Sequence, residues 1–361
     1  VFKSFFVKVV RQCVDLGLVT GDKIFCDASL VNADASCKSV GLNIKFDVLY
    51  EEFERRLDGA DENKRKYVST TDPEAAVVQG SGGARPRYKG HRAVDEKFGV
   101  ITAVAVTSGD RNEAHQLSSL KNQHEANTDC EVKTMVADRK YGTIDNYLYC
   151  YDHKIKPHIP DLKDTTAGSK RRQGIFAAEE FKYLAAEDVY ICPVGERLAR
   201  RRYHKRRDSY DYCASREVCA RCKLRERCTR SRSGRSVKRH IRQDDLATMR
   251  EEAKSGGSRL DLKERQHLAE RSFADAANNH GFKRARWRRL WRVQIQDYLI
   301  AAIQNIRIMM KHGLQKAQAV AKRAVDLFSI SLILGVNRFL AISFTFFLNI
   351  VNTIIYATKN H

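Results

Sequence analysis

The stretches Tyr88-Lys-Gly-His-Arg-Ala-Val94 and Val100-Ile-Thr-Ala-Val-Ala-Val-Thr107 decide the fold class of this chain. Both are typical of strands, and the turn-like Asp95-Glu-Lys-Phe-Gly99 between them predicts an antiparallel hairpin. Further strands are predicted at 23–27, 131–137 and 155–159, and helices at 113–126 and 143–151. The order β, β, β, α, β, α, β predicts a mixed α/β sheet with helices on its faces.

Helical patterns also cover 1–18, 260–278 and 295–311. In the last of these, we interpret an apolar stripe as core packing; it comprises Ile295, Tyr298, Leu299, Ala302, Ile303, Ile306 and Met310. The whole order is that of an RNase-H-like mixed sheet with flanking helices, interrupted by a basic, cysteine-containing insertion. We predict the first part of this core at 1–160, the insertion at 161–257, the C-terminal helices of the core at 258–312 and an atypical apolar tail at 313–361.

The charge of the chain is strongly positive: 65 Lys and Arg residues against 44 Asp and Glu give a formal net charge of +21. Such an excess favours a polyanionic partner, although charge alone does not separate DNA from RNA or an anionic membrane. Basic residues concentrate at 197–207 and 283–292. The second run contains Trp287 and Trp291, which we expect to pack in the core rather than to stack on bases.

The apolar tail contains nineteen uncharged residues from Phe339 to Ala357, close to the length of one membrane span. It also contains Asn, Ser and Thr residues, which are costly inside a membrane. We therefore favour an atypical C-terminus over an anchor, and expect no membrane partner.

Five of the ten cysteines fall between residues 192 and 228. Cys219 and Cys222 have the two-residue separation usual in zinc knuckles, and Cys228 and Cys192 are candidates to complete a structural Zn²⁺ site, with Cys213 an alternative to Cys192. The competing interpretation, that these cysteines are small buried hydrophobes, stays open.

Three acids are candidates for a catalytic centre. Asp27 and Asp138 each follow a predicted strand, where an α/β sheet gathers functional groups, and Glu270 lies on a later helix. Three converging carboxylates suit two-metal phosphoryl transfer. Turn capping explains the aspartates equally well. Other acids compete for the same role, namely Asp22, Asp34, Asp72, Asp95, Asp145, Glu264 and Asp275.

Four blocks in order resemble bacterial insertion-sequence DDE transposases, over roughly residues 10–310. The first is Gly21-Asp-Lys-Ile-Phe-Cys-Asp-Ala-Ser-Leu-Val-Asn-Ala-Asp-Ala-Ser36, and the next pairs Ser69-Thr-Thr-Asp-Pro73 with Tyr88-Lys-Gly-His91. Val136-Ala-Asp-Arg-Lys-Tyr-Gly142 resembles the second catalytic block. Glu270-Arg-Ser-Phe-Ala-Asp275, followed by His280-Gly281, resembles the third.

The resemblance implies that Asp27, Asp138 and Glu270 bind Mg²⁺ or Mn²⁺ and catalyse cleavage at transposon ends and strand transfer into target DNA. It implies a cytoplasmic, nucleoid-associated enzyme that acts on double-stranded DNA as a homodimer in a synaptic complex. The residues that we predict to contact DNA are Arg265, Lys283, Arg284, Arg286, Arg288 and Arg289.

The chain departs from the family pattern in three ways. Ala277 stands where the family usually has Lys, and the expected Arg before Glu270 is out of register, with Arg265 the nearest candidate. The upstream helical domain is missing and residue 1 is Val, so we interpret the chain as a fragment. The alternatives are a catalytically decayed DNA-binding remnant and an RNase-H-like nuclease. The residues do not decide the element's end sequence or its target preference.

Overall fold

The structure is a computed structural model that describes residues 1–42, 67–80, 82–162 and 174–333, with side chains in the last range described to residue 313. Within these ranges eight strands form a mixed sheet. They are β1 (Lys23–Asn32), β2 (Val40–Leu42), β3 (Tyr67–Ser69), β4 (Ala76–Gly80), β5 (Gly83–Asp95), β6 (Ile101–Ser108), β7 (Thr134–Ala137) and β8 (Lys156–His158).

Strand β1 is central to this sheet. It pairs antiparallel with β5 and parallel with β7, and β7 in turn pairs parallel with β8. Strands β5 and β6 form the predicted antiparallel hairpin. The mixed sheet and its flanking helices confirm the predicted fold class and are consistent with an RNase-H-like core.

The helices are α1 (Phe2–Asp15), α2 (Leu117–Thr128), α3 (Ile144–Asp152), α4 (Arg216–Ala220), α5 (Arg225–Cys228), α6 (Gln243–Ala253), α7 (Gly256–Arg265), α8 (Arg271–His280) and α9 (Leu290–Ile333). A π-helical segment, Gln266–Glu270, joins α7 to α8. Alternation along β1 divides the core. Ile24 and Cys26 pack on the α2 side, and Phe25 packs on the side of α1 and α9.

Helix α9 contacts the sheet through both apolar and polar side chains. Its buried residues include Gln296, Asp297, Gln304 and Asn305, whereas Ile303 is 44% exposed and Met310 is 61% exposed. The predicted apolar stripe is therefore wrong at these two positions. The buried face differs from the predicted one because polar side chains of the helix bind groups of the sheet that would otherwise be buried without partners.

The best example is the edge strand β6. Asn305 accepts a hydrogen bond from the Ile101 N–H at 2.8 Å and donates one to the Ile101 carbonyl at 2.7 Å. Gln294 accepts another from the Val106 N–H at 2.7 Å. The amide side chains thereby cover an edge that would otherwise present unpaired backbone groups.

A second sheet, all antiparallel, lies in the predicted insertion. Its strands are β9 (Lys182–Leu184), β10 (Val189–Ile191), β11 (Arg197–His204), β12 (Ser209–Cys213) and β13 (Ser236–His240). Its buried core is small and comprises Phe181, Tyr190, Leu198, Tyr212 and Val237. No strand was predicted here, because short basic strands lack a clear apolar alternation.

None of the helices in the described part of the chain combines the length and apolarity that a membrane span requires. The stretch from Phe339 to Ala357 lies outside the described residues. The expectation that Trp287 and Trp291 are core residues is wrong: they are 43% and 57% exposed.

Candidate active site

The register of two strands brings the aspartates together. Strand β1 continues to Asn32, so Asp27 lies within it rather than at its end as predicted. Strand β7 pairs with β1 as far as Cys26 and Ala137, and Asp27 and Asp138 are the next residue on each strand. The two aspartates therefore follow the point where parallel pairing stops, at the carboxyl end of β7.

Both carboxylates also have local hydrogen bonds. Asp138 Oδ1 accepts from the Lys140 N–H at 3.0 Å and begins the 3₁₀ turn Arg139–Tyr141. Asp27 Oδ1 accepts from the Ala28 N–H at 2.9 Å. The capping interpretation is thus correct for one oxygen of Asp138, and it does not exclude a ligand at the other.

Glu270 reaches this site from the last position of the π-helical segment. A π-helix adds one residue per turn relative to an α-helix, and such bulges are frequent at functional sites. Arg265 and Glu270, five residues apart, consequently lie on the same face. Arg265 Nη2 donates to Glu270 Oε1 at 3.2 Å. Arg265 is out of register for an α-helix, and the additional residue of the π-helical turn brings it onto the face of Glu270.

Arg265 joins the two ends of the site. Its Nη1 lies 3.3 Å from Asp27 Oδ2, and its side chain is only 12% exposed. Burial raises the pKa of Asp27 to about 6; the Arg265 charge and the Ala28 N–H lower it, and the Asp138 and Glu270 carboxylates raise it. Asp138 and Glu270 thus both influence the ionisation of Asp27.

Two lysines border the carboxylates. Lys140 binds Glu113 at 2.9 Å, and this hydrogen bond raises the Lys140 pKa, with smaller contributions from Asp138 and Asp27. Burial lowers the pKa of Lys283, while Asp27 raises it. Lys283 was predicted to contact DNA, but Lys140 was missed although it stands two residues after Asp138. Its position next to a strand-end acid was the available signal.

The donor set suits a hard divalent cation, because carboxylate oxygens are the ligands that Mg²⁺ prefers. The side chains are nevertheless not arranged as a metal site, since across the described ranges no three or more His, Cys, Asp or Glu side chains form a group that could hold a metal ion. At the carboxylates, the Arg265 guanidinium supplies the positive charge between Asp27 and Glu270.

The second basic run is attached to the strand that carries Asp27. Asn32 at the end of β1 donates to the Lys283 carbonyl at 2.9 Å and accepts from the Ala285 N–H at 2.8 Å. Lys283 Nζ also donates to Ser29 Oγ at 2.7 Å, two residues along β1 from Asp27. The run therefore borders the acidic site on its own sheet.

The predicted DNA-contacting side chains differ in exposure. Those exposed are Lys283, Arg284, Arg286, Arg288 and Arg289, whereas Arg265 is engaged with the carboxylates. Arg284 and Arg288 both lie 3.7 Å from Asp34, which holds them near the end of β1. The Arg292 guanidinium lies 4.9 Å from the ring centre of Trp291.

The cysteines of the insertion lie apart from the carboxylates. Cys192, Cys219, Cys222 and Cys228 line one small cavity, and Cys213 is not among its lining residues.

Two comparisons with known proteins bear on this geometry. A search of curated proteins found no match. Residues 191–310 match the family model described as "Transposase DDE domain". The matched stretch contains Glu270, Arg265, the cysteine cluster and the second basic run, and it begins after both Asp27 and Asp138. The match supports a DDE transposase.

Proposed function

We propose that this chain is the catalytic part of a DDE transposase, in which Asp27, Asp138 and Glu270 are the metal-binding residues for DNA cleavage and strand transfer. The observation that supports the proposal is the link that strand register and Arg265 make among the three acids. Strand register brings Asp27 beside Asp138, and Arg265 connects Asp27 to Glu270.

Mg²⁺ or Mn²⁺ bound to these carboxylates would activate the attacking hydroxyl and stabilise the leaving oxygen. The chain's own residues account for the metal-free arrangement. Arg265 neutralises Asp27 and Glu270, which keeps like charges from repelling each other at a half-buried site. With a cation bound, Arg265 would no longer be needed to neutralise the carboxylates and would be available to bind a DNA phosphate, the role predicted for it from the sequence.

DNA would pass along the basic run beside β1. Lys283, Arg284, Arg286, Arg288 and Arg289 are exposed there and would neutralise successive phosphates. The exposed indoles of Trp287 and Trp291 suit stacking on bases that are unpaired at a cleaved end. A nucleoid-associated homodimer that pairs two transposon ends, and a DNA-gripping insertion at 161–257, belong to the same proposal.

The test is nicking of a labelled oligonucleotide pool with Mg²⁺, Mn²⁺ or EDTA. The variant is Asp138→Asn, because Asn retains the cap on the Lys140 N–H but removes the charge. We expect a loss of at least about 100-fold, since a bound metal supplies several kcal/mol to the transition state. The matched control is Asp145→Asn, an exposed acid in the first turn of α3, which should retain nicking. Equal nicking by Asp138→Asn and wild type would refute the triad.

A second candidate function is a DNA-binding remnant without chemistry. Ala277 in place of the family's usual Lys favours it. Salt-sensitive DNA binding by folded protein, with no nicking in either metal, would establish this alternative. Nicking without strand transfer of a pre-cleaved end would instead indicate the RNase-H-like nuclease.

A further inference from the structure

Four cysteines from three separate segments line one cavity in the second sheet. Cys192 directly follows β10, Cys219 lies in α4 with Cys222 just beyond it, and Cys228 ends α5. The cavity has a volume of about 30 Å³. A cavity of this size can accept a single ion.

The backbone around the cavity is folded closely onto the sulfurs. The Gly195 N–H donates to the Cys192 carbonyl at 2.9 Å, which makes a tight turn directly after Cys192. On the other side Gly234 has φ +92°, and a Cβ there would lie 2.9 Å from Cys219 Sγ. Glycine is required at this position both by its backbone conformation and by its closeness to the sulfur.

The protein around these cysteines has short helices and a small core. Helix α4 has five residues and α5 has four, well below the length at which a helix is stable alone. The core beneath them comprises five buried side chains. Small units of this kind usually depend on a metal or disulfides, and all ten cysteines are free thiols here.

Two arginines hold the backbone beside these cysteines. Arg225 donates to the Cys219 carbonyl at 3.3 Å, and Arg235 donates to the Cys228 carbonyl at 3.3 Å. Both guanidinium groups also line the cavity that the four cysteines line.

We propose that Cys192, Cys219, Cys222 and Cys228 bind one structural Zn²⁺. Four thiolates match the tetrahedral, sulfur-rich coordination that Zn²⁺ adopts, and four protein ligands leave no position for substrate. As they stand the thiols are not arranged as a ligand set. Binding requires their side chains to turn toward the cavity that they already line. Cys213, on β12, is excluded from the set because it does not line this cavity.

The test is metal analysis of the whole chain purified without chelator, with Cys222→Ser compared with Cys213→Ser. Both replace a partly buried cysteine of the same unit, but only one lines the cavity. We expect about one equivalent of zinc in wild type and Cys213→Ser, and at least a tenfold loss in Cys222→Ser. Less than about a tenth of an equivalent in folded wild type would overturn the proposal, as would equal zinc in all three proteins.

A second measurement uses wild type alone, so that it does not depend on whether Cys222→Ser folds. Cobalt reconstitution should give the intense visible bands of tetrahedral thiolate coordination, and a chelator should make four additional thiols reactive. Intact masses two units lower per bridge under non-reducing conditions would show disulfides instead, and would refute the site. None of these readouts uses DNA, so they are independent of whether the transposase proposal holds.

Discussion

Arg265 donates a hydrogen bond to Glu270 at 3.2 Å across a π-helical segment, five residues apart instead of the usual four. The same guanidinium lies 3.3 Å from Asp27 on the central strand. This bridge explains how a chain with an arginine out of register for an α-helix still presents it to the acidic site. It also leads to the first prediction.

Removing the bridge should destabilise the protein most when no metal is present. We expect Arg265→Ala to lower the free energy of unfolding by about 1–3 kcal/mol in EDTA, because it leaves Asp27 and Glu270 without a counter-charge. Saturating Mg²⁺ or Mn²⁺ should restore much of this loss. Thermal unfolding with and without metal measures both effects. Arg259→Ala, an exposed arginine on the same helix, is the control. A loss unaffected by metal would mean that Arg265 does not occupy the place of a cation.

Asp27→Asn should stabilise the metal-free protein above pH 6. Because folding raises the pKa of Asp27 from 3.8 to about 6, the folded state binds a proton more tightly than the unfolded state. Stability in EDTA therefore falls as pH rises from about 4 to about 6, and the full cost remains above that range. Asparagine avoids the cost, which is at most about 3 kcal/mol. Unfolding at pH 4 and pH 7.5 tests this. A variant no more stable than wild type at pH 7.5 would contradict it, with Asp15→Asn as the exposed control.

The buried ion pair between Arg92 and Asp297 should dominate the docking of α9. Asp297 Oδ1 lies 2.6 Å from Arg92 Nη2, and both side chains are at most 2% exposed. Asp297→Ala should cost about 3–5 kcal/mol, since it leaves a buried guanidinium without its partner. Chemical denaturation measures the loss. Asp152→Ala, which removes an exposed ion pair with Arg242, should cost far less. Similar losses in the two variants would show that the buried pair has no special weight.

Acid should destabilise the fold through a buried histidine. Burial lowers the pKa of His91 from 6.5 to about 3, and its Nε2 is hydrogen-bonded to Thr107 Oγ1 at 2.8 Å. Below pH 6.5 the His91 imidazole takes up a proton in the unfolded chain but not in the folded chain. The free energy of unfolding therefore falls by up to about 1.4 kcal/mol per pH unit. His91→Gln should flatten this slope between pH 6 and pH 4. The control His153→Gln, at an exposed position, should leave the slope unchanged. A wild-type slope in His91→Gln would show that His91 does not cause the loss of stability in acid.

The basic run beside β1 should account for part of the salt dependence of DNA binding. Arg286→Ala/Arg288→Ala/Arg289→Ala should weaken binding to all sequences alike, and flatten the log–log salt slope by about 0.9 per lost phosphate contact. The comparison is a triple variant of exposed arginines in the insertion, Arg201→Ala/Arg202→Ala/Arg206→Ala. A flatter salt slope in this variant would show that the insertion also contacts DNA. An unchanged slope in the first variant, with folding intact, would move the path away from β1.

Local patterns were enough to predict the sheet but not the contacts across it. The hairpin, the alternation of Ile24, Phe25 and Cys26, and the helix through 260–278 all follow from residues close together in the chain. The apolar stripe did not reveal that Asp297 and Asn305 are buried, because they are paired with residues some two hundred positions away. Hydropathy cannot register a partner at that distance.

The sequence by itself determined five strands of the first sheet, the three candidate acids, the basic runs and the cysteine cluster, because periodicity and side-chain chemistry are local properties. Only the tertiary structure decided that Asp27 stands beside Asp138, that Arg265 faces Glu270, and that Cys192 rather than Cys213 lines the cavity. These relationships depend on the register of strands and on one additional residue in a helical turn. Shifting either by a single residue changes which face a side chain occupies.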